Sequence, residues 1–153
     1  MPEPKTPPKG GHRPFPDAID DLKQALMDAE DALNDMLDKV PVEIVLAEGS
    51  DYQPGVPDGE LRWSDMLTFH KVGKSWRLNH YRWWSHMDPE DEPGETPLID
   101  APLRVRVLAA KKLPDLLEAV RQRRSEEIAE IEEAAEAARV FAIRVHEEEV
   151  TRD

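Results

Sequence analysis

The residues best suited to chemistry in this sequence are aromatic and basic side chains concentrated in the segment 61–84. The whole chain carries a formal net charge of −13, yet this segment holds a single acid, Asp65. Tryptophan rings stack on nucleobases or cations, and arginines neutralise phosphates. The segment therefore predicts either a surface that binds a ligand or nucleic acid, or an ordinary core with a solvated outer face. Its tryptophans are Trp63, Trp76, Trp83 and Trp84, and its bases are Arg62, Lys71, Lys74, Arg77 and Arg82.

The same segment has the pattern of a β-hairpin, because Val72-Gly73 separates two runs of alternating apolar and polar residues. If residues 71 and 74 flank the turn, four large apolar side chains meet near the turn on one face, which we take as the core face. A slip of one residue would exchange the two faces. The pairs predicted on the core face are Leu67 with Leu78, Phe69 with Trp76, Asp65 with His80, and Trp63 with Arg82.

Two neighbouring tryptophans at the end of the hairpin are candidates for contact with a partner. Trp83 and Trp84 cannot both face one core, since successive side chains of a strand point to opposite faces. In the predicted register Arg62 lies opposite Trp83 on the outer face. We expect Trp63 and Trp76 to belong to the core, and we expect Arg62 and at least one of Trp83 and Trp84 to be available for binding.

Three histidines in or beside the hairpin, of which the third is His86, come closest to a metal site. In the predicted register His70 and His80 lie on opposite faces. We therefore predict no metal site and interpret Asp65 with His80 as a structural ion pair or hydrogen bond. The acidic run 88–92 lacks the spacing and the turn glycine of a calcium-binding loop, which indicates a solvated loop.

No motif in the sequence specifies a reaction. There is no nucleophile elbow, phosphate-binding glycine loop, HExxH or dinucleotide-binding fingerprint. Because the chain has no cysteine, thiolate catalysis, disulfides and cysteine-bound zinc are excluded. We therefore predict a non-catalytic protein without a cofactor.

The first of two helices that frame the hairpin should begin near Pro16-Asp17 and end near Lys39. Pro41 sets the end, because a proline disfavours helical conformation at the residue before it. The apolar residues of this helix alternate gaps of three and four residues, which is typical of a coiled-coil seam. They are Ile19, Leu22, Leu26, Ala29, Leu33, Met36 and Val40.

The second helix should begin near Pro102, and Pro114 should either kink it or open a further helix. From Pro114 to Glu149 there is no proline or glycine, which predicts roughly 35 helical residues spanning about 50 Å. A helix this long outreaches the sheet. Its far half must pair with the first helix, pair with another subunit, or stand in solvent. The apolar seam of that half is Ile131, Ala134, Ala138, Phe141 and Val145.

We predict an α+β fold in which a three-stranded antiparallel sheet carries both helical segments on one face. The third strand is the β-branched segment 41–47, and residues 86–99 should form an exposed loop. Residues 1–16 should be a disordered proline-rich tail, 17–149 a single domain with a projecting C-terminal helix, and 150–153 a short tail. No stretch approaches the roughly 18 apolar residues of a membrane span, and the first residues lack a secretory signal, so we expect a cytoplasmic protein.

Three functions fit these features. The first is a protein–protein interaction module that acts in a complex or homodimer through its heptad seams. The second is an acidic inhibitor that imitates nucleic acid, of the kind that phages and mobile elements direct against host defences. It would fill a basic groove with the acids of the first helix, among them Asp28, Asp31 and Asp35. The third is a binder that uses the aromatic hairpin, although the net charge opposes direct binding to nucleic acid.

Overall fold

The computed structural model describes residues 13–55, 59–86 and 94–151. A helix is followed by four strands, a short 3-10 turn and a second helix. Outside the described residues lie 1–12 of the predicted tail 1–16, the acidic run 88–92 and the last two residues of the predicted tail 150–153. The elements are α1 (Phe15–Asn34), β1 (Val42–Tyr52), β2 (Glu60–Val72), β3 (Ser75–Trp84), β4 (Thr96–Pro97) and α2 (Leu103–Thr151).

Helix α1 runs from Phe15 to Asn34 and so ends five residues before the predicted end at Lys39. The ammonium group of Lys39 donates to the carbonyl oxygens of Asn34 and Met36 at 2.7 and 2.8 Å. Lys39 thereby satisfies carbonyl groups that the end of a helix leaves free. Asp38, with a φ of 57°, then turns the chain toward β1.

The sheet has four antiparallel strands in the order β1-β2-β3-β4, so the predicted count of three strands was wrong. The additional strand is β4, in which Pro97 pairs with Asn79 and Thr96 pairs with His80. Two residues in a proline-rich stretch carry no alternating pattern. Their sequence was therefore indistinguishable from the loop predicted over 86–99.

Strand β1 continues to Tyr52, five residues beyond its predicted end at Ala47. The pairing with β2 shifts between Val45 and Ala47, and the intervening Leu46 is buried as a bulge residue. The residues after the bulge include Gly49 and Asp51, whose types are depleted in strands. Pairing with β2 imposes the extended conformation there.

The hairpin turn consists of Gly73 and Lys74. Gly73 has a φ of 64°, which suits the glycine at the first central position of a type II′ turn. The predicted register was wrong by two residues, and Phe69 faces Leu78. Side chains alternate with a period of two, so each remains on its predicted face. The observed pairs on that face are Trp63 with Trp84, Asp65 with Arg82, Leu67 with His80, Phe69 with Leu78, and Lys71 with Trp76.

Both helices pack on the sheet face that carries Leu67, Phe69 and Leu78. These three side chains are almost wholly buried, as is Leu26 from the predicted seam of α1. Burying a side chain of this kind contributes roughly 1.5–3 kcal/mol, so this core fixes both helices on the sheet. The residues that α2 adds to the core are Val105, Ala109, Leu116 and Val120.

Helix α2 is one continuous helix of 49 residues, about 73 Å long. It runs through Pro114, which neither ends it nor opens a second helix. A proline inside a helix costs about 3 kcal/mol, and the buried contacts of Ala109 before it and Leu116 after it offset this cost. Across the described ranges, no helix is both long and apolar enough to cross a membrane.

Candidate functional site

Helix α2 leaves the sheet long before it ends. Val120 is its last residue in the buried core, with 1% of its surface exposed. One turn later, the guanidinium of Arg124 donates to the carbonyl oxygen of Leu37 at 3.2 Å, in the connection after α1. Residues 125–151, the distal half of α2, extend about 40 Å further.

The predicted seam of the distal half lies in solvent. Ile131 and Phe141 each expose 67% of their surface and Val145 exposes 42%, while Ala134 and Ala138 are exposed as well. At about 3.6 residues per turn, these side chains share one helix face, and this face continues the stripe that packs on the sheet. The apolar stripe of α2 is therefore buried against the sheet at its start, and at its end none of the described residues covers it.

Helix α1 does not extend along the distal half. Its own seam faces the earlier part of α2, where the two helices leave an apolar hollow of about 470 Å³. The residues that line this hollow are Ala29, Ala32, Leu33 and Met36 of α1, and Leu113, Pro114 and Leu117 of α2.

A second set of apolar side chains lies on the opposite face of the distal half. Val140, Ile143 and Val150 are all exposed, and the last two border a shallow hollow of about 370 Å³ near the helix end. Helical geometry sets this face roughly 150° around the axis from the seam. A single partner helix packed on the seam would leave it free.

Charges change sign in blocks along the distal half and the turn before it. Three ion pairs form within the helix: Arg139 with Glu136 at 2.9 Å, Arg123 with Glu126 at 3.4 Å and Arg123 with Glu127 at 3.8 Å. All three lie at the surface, so they contribute little to stability. In chain order the blocks are three arginines within 121–124, six glutamates within 126–136, Arg139 with Arg144, and three glutamates at 147–149.

Arg62 and Trp83, two of the predicted contact residues, do meet on the outer face of the sheet, away from the helices. Trp83 pairs with Ser64 and exposes 44% of its surface. Two hollows of about 470 and 280 Å³ share Glu60, Arg62 and Trp83 in their linings and together form the Arg62–Trp83 groove. The Nε atom of Arg62 lies 3.7 Å from a carboxylate oxygen of Glu60, so the groove combines an aromatic ring with charges of both signs.

Trp84, the third predicted contact in the hairpin, faces the helix side of the sheet instead. It is half-buried and pairs with Trp63. The guanidinium carbon of Arg82 lies 4.2 Å from the ring centroid of Trp63 and 5.5 Å from that of Trp84. These cation–π contacts give Trp84 a structural role.

Asp65 is the buried carboxylate that anchors Arg82. Arg82 donates to its two oxygens at 2.8 and 2.9 Å, and His80 Nε2 lies 3.0 Å from one of them, which confirms the predicted Asp65–His80 hydrogen bond. Burial alone would raise the pKa of Asp65, but the hydrogen bonds and charges of Arg82 and His80 outweigh it and hold that pKa below its usual range. The hydrogen bond to Asp65 likewise raises the pKa of Arg82.

The hairpin histidines lie apart from one another. His80 is on the helix side, whereas His70 is on the outer face, with its Nε2 2.6 Å from a carboxylate oxygen of Glu95. Glu95 also accepts a hydrogen bond from Thr68 at 3.2 Å, and so ties the segment before β4 to β2. Among residues 13–55, 59–86 and 94–151, no group of three or more histidines or carboxylates is placed to hold a metal ion.

The acids of α1 serve two surfaces. Asp28, Asp31 and, directly after the end of α1, Asp35 are exposed, as the inhibitor hypothesis requires. Glu30 instead faces the sheet, where its carboxylate accepts the backbone N–H of Leu78 at 2.9 Å. The sequence did not single out Glu30, because one glutamate in an acidic helix carries no signal of its own.

No protein-family model, curated protein or solved structure matches this chain. Its function has to follow from the exposed surfaces. The two with the clearest chemistry are the seam of the distal half and the Arg62–Trp83 groove.

Proposed function

We propose that the protein is a non-catalytic protein-interaction module and that the distal half of α2 is its main contact surface. The observation that carries the proposal is the seam, which continues the buried stripe of α2 and has no cover in the described residues. Helices of globular proteins gain most of their stability by packing an apolar face on another element. A partner would supply that packing for the distal half.

The spacing of the seam indicates what kind of partner fits. Its residues alternate gaps of three and four, the arrangement in which side chains of one helix insert between those of another. The residues beside the seam are mostly charged or small, so the apolar contact is narrow. A partner helix with its own apolar stripe matches this surface, and the flanking charges select among such helices.

Two substitutions of the same type test the proposal. Phe141→Glu places a carboxylate in the seam, whereas Ile143→Glu places one on the opposite face at similar exposure. Tagged full-length chains would be expressed in the native host, and the size of their complexes in extract would be measured by sedimentation. We expect the original chain and Ile143→Glu to sediment as complexes and Phe141→Glu as a single chain of unchanged helix content. Equal sedimentation of all three overturns the proposal.

The Arg62–Trp83 groove serves as a second contact surface in this proposal. Tryptophan and arginine are the residues most enriched among those that dominate binding energy at interfaces. Trp83 lies outside the buried core, so Trp83→Ala should weaken the complex while the fold persists. If both Trp83→Ala and Arg62→Ala leave the complex unchanged, the groove has no part in binding.

The acidic inhibitor is the alternative function, and the exposure of Asp28, Asp31 and Asp35 favours it. Binding of this kind would draw its affinity from charge, so a complex with a basic nucleic-acid enzyme should weaken steeply as salt rises. Changing the three aspartates to asparagine should abolish that complex. A complex that is insensitive to salt would contradict this alternative.

A further inference from the structure

We propose that the partner helix is the distal half of α2 in a second copy of the chain, and that the two helices pair antiparallel. The inference rests on the proposed function, because both use the same seam. It is carried by the blocks of charge along α2, which complement a reversed copy of themselves.

Parallel pairing in register would bring like charges together. The first and fourth residues of each heptad, called a and d, face the partner helix. If Ile131 and Ala138 occupy position a, then Arg124 also occupies position a, and Glu127 and Glu148 occupy position d. Each of the three charged residues would meet its own copy. Three layers of the interface would then each enclose two charges of one sign, which is strongly unfavourable in a desolvated contact.

Reversing the second helix removes all three clashes. With the pairing centred on Glu136, Arg124 meets Glu148 of the second copy, and the guanidinium nitrogens that do not bond Leu37 form an ion pair with it. Glu127 meets an apolar residue, and the apolar residues near the centre meet one another. The layers, each present twice by symmetry, are Arg124 with Glu148, Glu127 with Val145, Ile131 with Phe141, and Ala134 with Ala138.

The residues beside the seam favour the same register. Glu130 comes to lie next to Arg144 of the second copy, and each pair of this kind occurs twice. A shift of the second helix by one heptad would instead set Ile131 against Glu148. Glu148 would then no longer meet Arg124, so the ion pair between them would be lost.

This register also suits the rest of the fold. The paired segment starts at Arg124, where α2 leaves the sheet, so the two folded cores lie at opposite ends of the helix pair. Ala134 and Ala138 occupy the middle layers, and such small side chains allow the helix axes to approach to about 8 Å.

Sedimentation of the purified full-length chain over a range of concentrations is the first test. We expect a reversible equilibrium between monomer and dimer. Glu130→Arg or Arg144→Glu alone would place like charges side by side at two symmetry-related points, which should raise the dissociation constant about tenfold. The chain with both substitutions regains opposite charges and should bind within about threefold of the original. A double variant as weak as either single variant contradicts the register.

Spin labels distinguish the two directions of pairing. The chain has no cysteine, so Gln122→Cys gives a single attachment point at an exposed position away from the seam. Antiparallel pairing centred on Glu136 sets the two labels about 42 Å apart along the helix axis. Parallel pairing sets them side by side, within about 20 Å. Pulsed electron paramagnetic resonance measures this distance.

A chain that remains monomeric at every concentration overturns the second copy as partner, and a dimer with the short label distance overturns the antiparallel pairing. The proposed function fails by a different result, namely that Phe141→Glu leaves the complexes in extract unchanged. A purified monomer whose complex in extract still requires Phe141 would overturn only the second copy as partner.

Discussion

Asn34 of α1 and Trp76 of β3 exchange two hydrogen bonds. The Asn34 amide donates to the Trp76 carbonyl oxygen at 2.7 Å, and the Trp76 N–H donates to the Asn34 side-chain oxygen at 2.9 Å. One helical turn earlier, Glu30 accepts the N–H of Leu78. Two side chains of α1 thus occupy backbone groups of β3 that a neighbouring strand would use. Free groups of this kind are what lets a sheet edge pair with other chains.

We expect Asn34→Ala to lower the free energy of unfolding by about 2 kcal/mol, because it leaves the N–H and carbonyl of Trp76 without their partner. Gln24→Ala on the same helix is the control, since among the described residues its amide bonds only the exposed Asp28, and its loss should cost less than about 0.5 kcal/mol. Denaturation in urea measures both. Equal stabilities of the two variants would show that the Trp76 edge does not depend on Asn34.

Gly49 is predicted to tolerate no side chain, because the indole of Trp63 lies directly on it. A Cβ at Gly49 would lie 2.5 Å from Cε2 and 2.8 Å from Nε1 of that ring. We expect Gly49→Ala to displace Trp63 from its contact with Arg82 and to cost about 1–3 kcal/mol. Gly94→Ala is the matched control, since none of the described residues lies within 4 Å of its added carbon. Thermal denaturation measures the midpoint of each variant. Equal midpoints for Gly49→Ala and Gly94→Ala would contradict this account.

The ion pair of Asp65 with Arg82 should make stability depend on acid pH. The pKa of Asp65 is lowered in the folded chain, so its contribution is complete above the ordinary value of 3.8 and is lost as pH falls through the lowered folded-state pKa. Asp65→Asn should cost about 2–3 kcal/mol near neutral pH, a value reduced by the partial exposure of Arg82. The difference in unfolding free energy between the original chain and Asp65→Asn, measured by denaturation at several pH values, should become smaller below about pH 4. A difference that stays constant would contradict the prediction.

The features that the sequence predicted depend on local periodicity, and those it missed depend on tertiary contacts. The alternation in 61–84 placed Trp83 and Trp84 on opposite faces, and the heptad spacing of α2 identified a seam that the sheet does not cover. The pairing of β4 comes from β3, whose partner residues are distant in sequence. The end of α1 is an exception, because the bonds of Lys39 to Asn34 and Met36 are local but belong to no apolar periodicity.

In the candidate site too, the sequence predicted what depends on local periodicity and missed what depends on tertiary contacts. That Arg62 and Trp83 share a face follows from strand parity, which a register error of two residues preserves. The structural role of Trp84 does not follow, because it requires Arg82 to reach both Trp63 and Trp84 while bound to Asp65. Glu30 was missed for a similar reason, since only the position of α1 against β3 distinguishes it from Asp28 and Asp31.

The distal half of α2 should be dispensable for the fold, because its side chains lie beyond the last buried residue, Val120. We expect a chain that ends at Ser125 to lose less than about 1 kcal/mol of unfolding free energy, since the removed residues bury little surface in a single chain. Leu116→Ala, which empties a wholly buried position in the same helix, should cost about 3 kcal/mol. Both would be measured by urea denaturation at concentrations where the chain is monomeric. A truncated chain that is as unstable as Leu116→Ala would mean that the distal half packs on its own sheet, and the surface proposed for a partner would not be free.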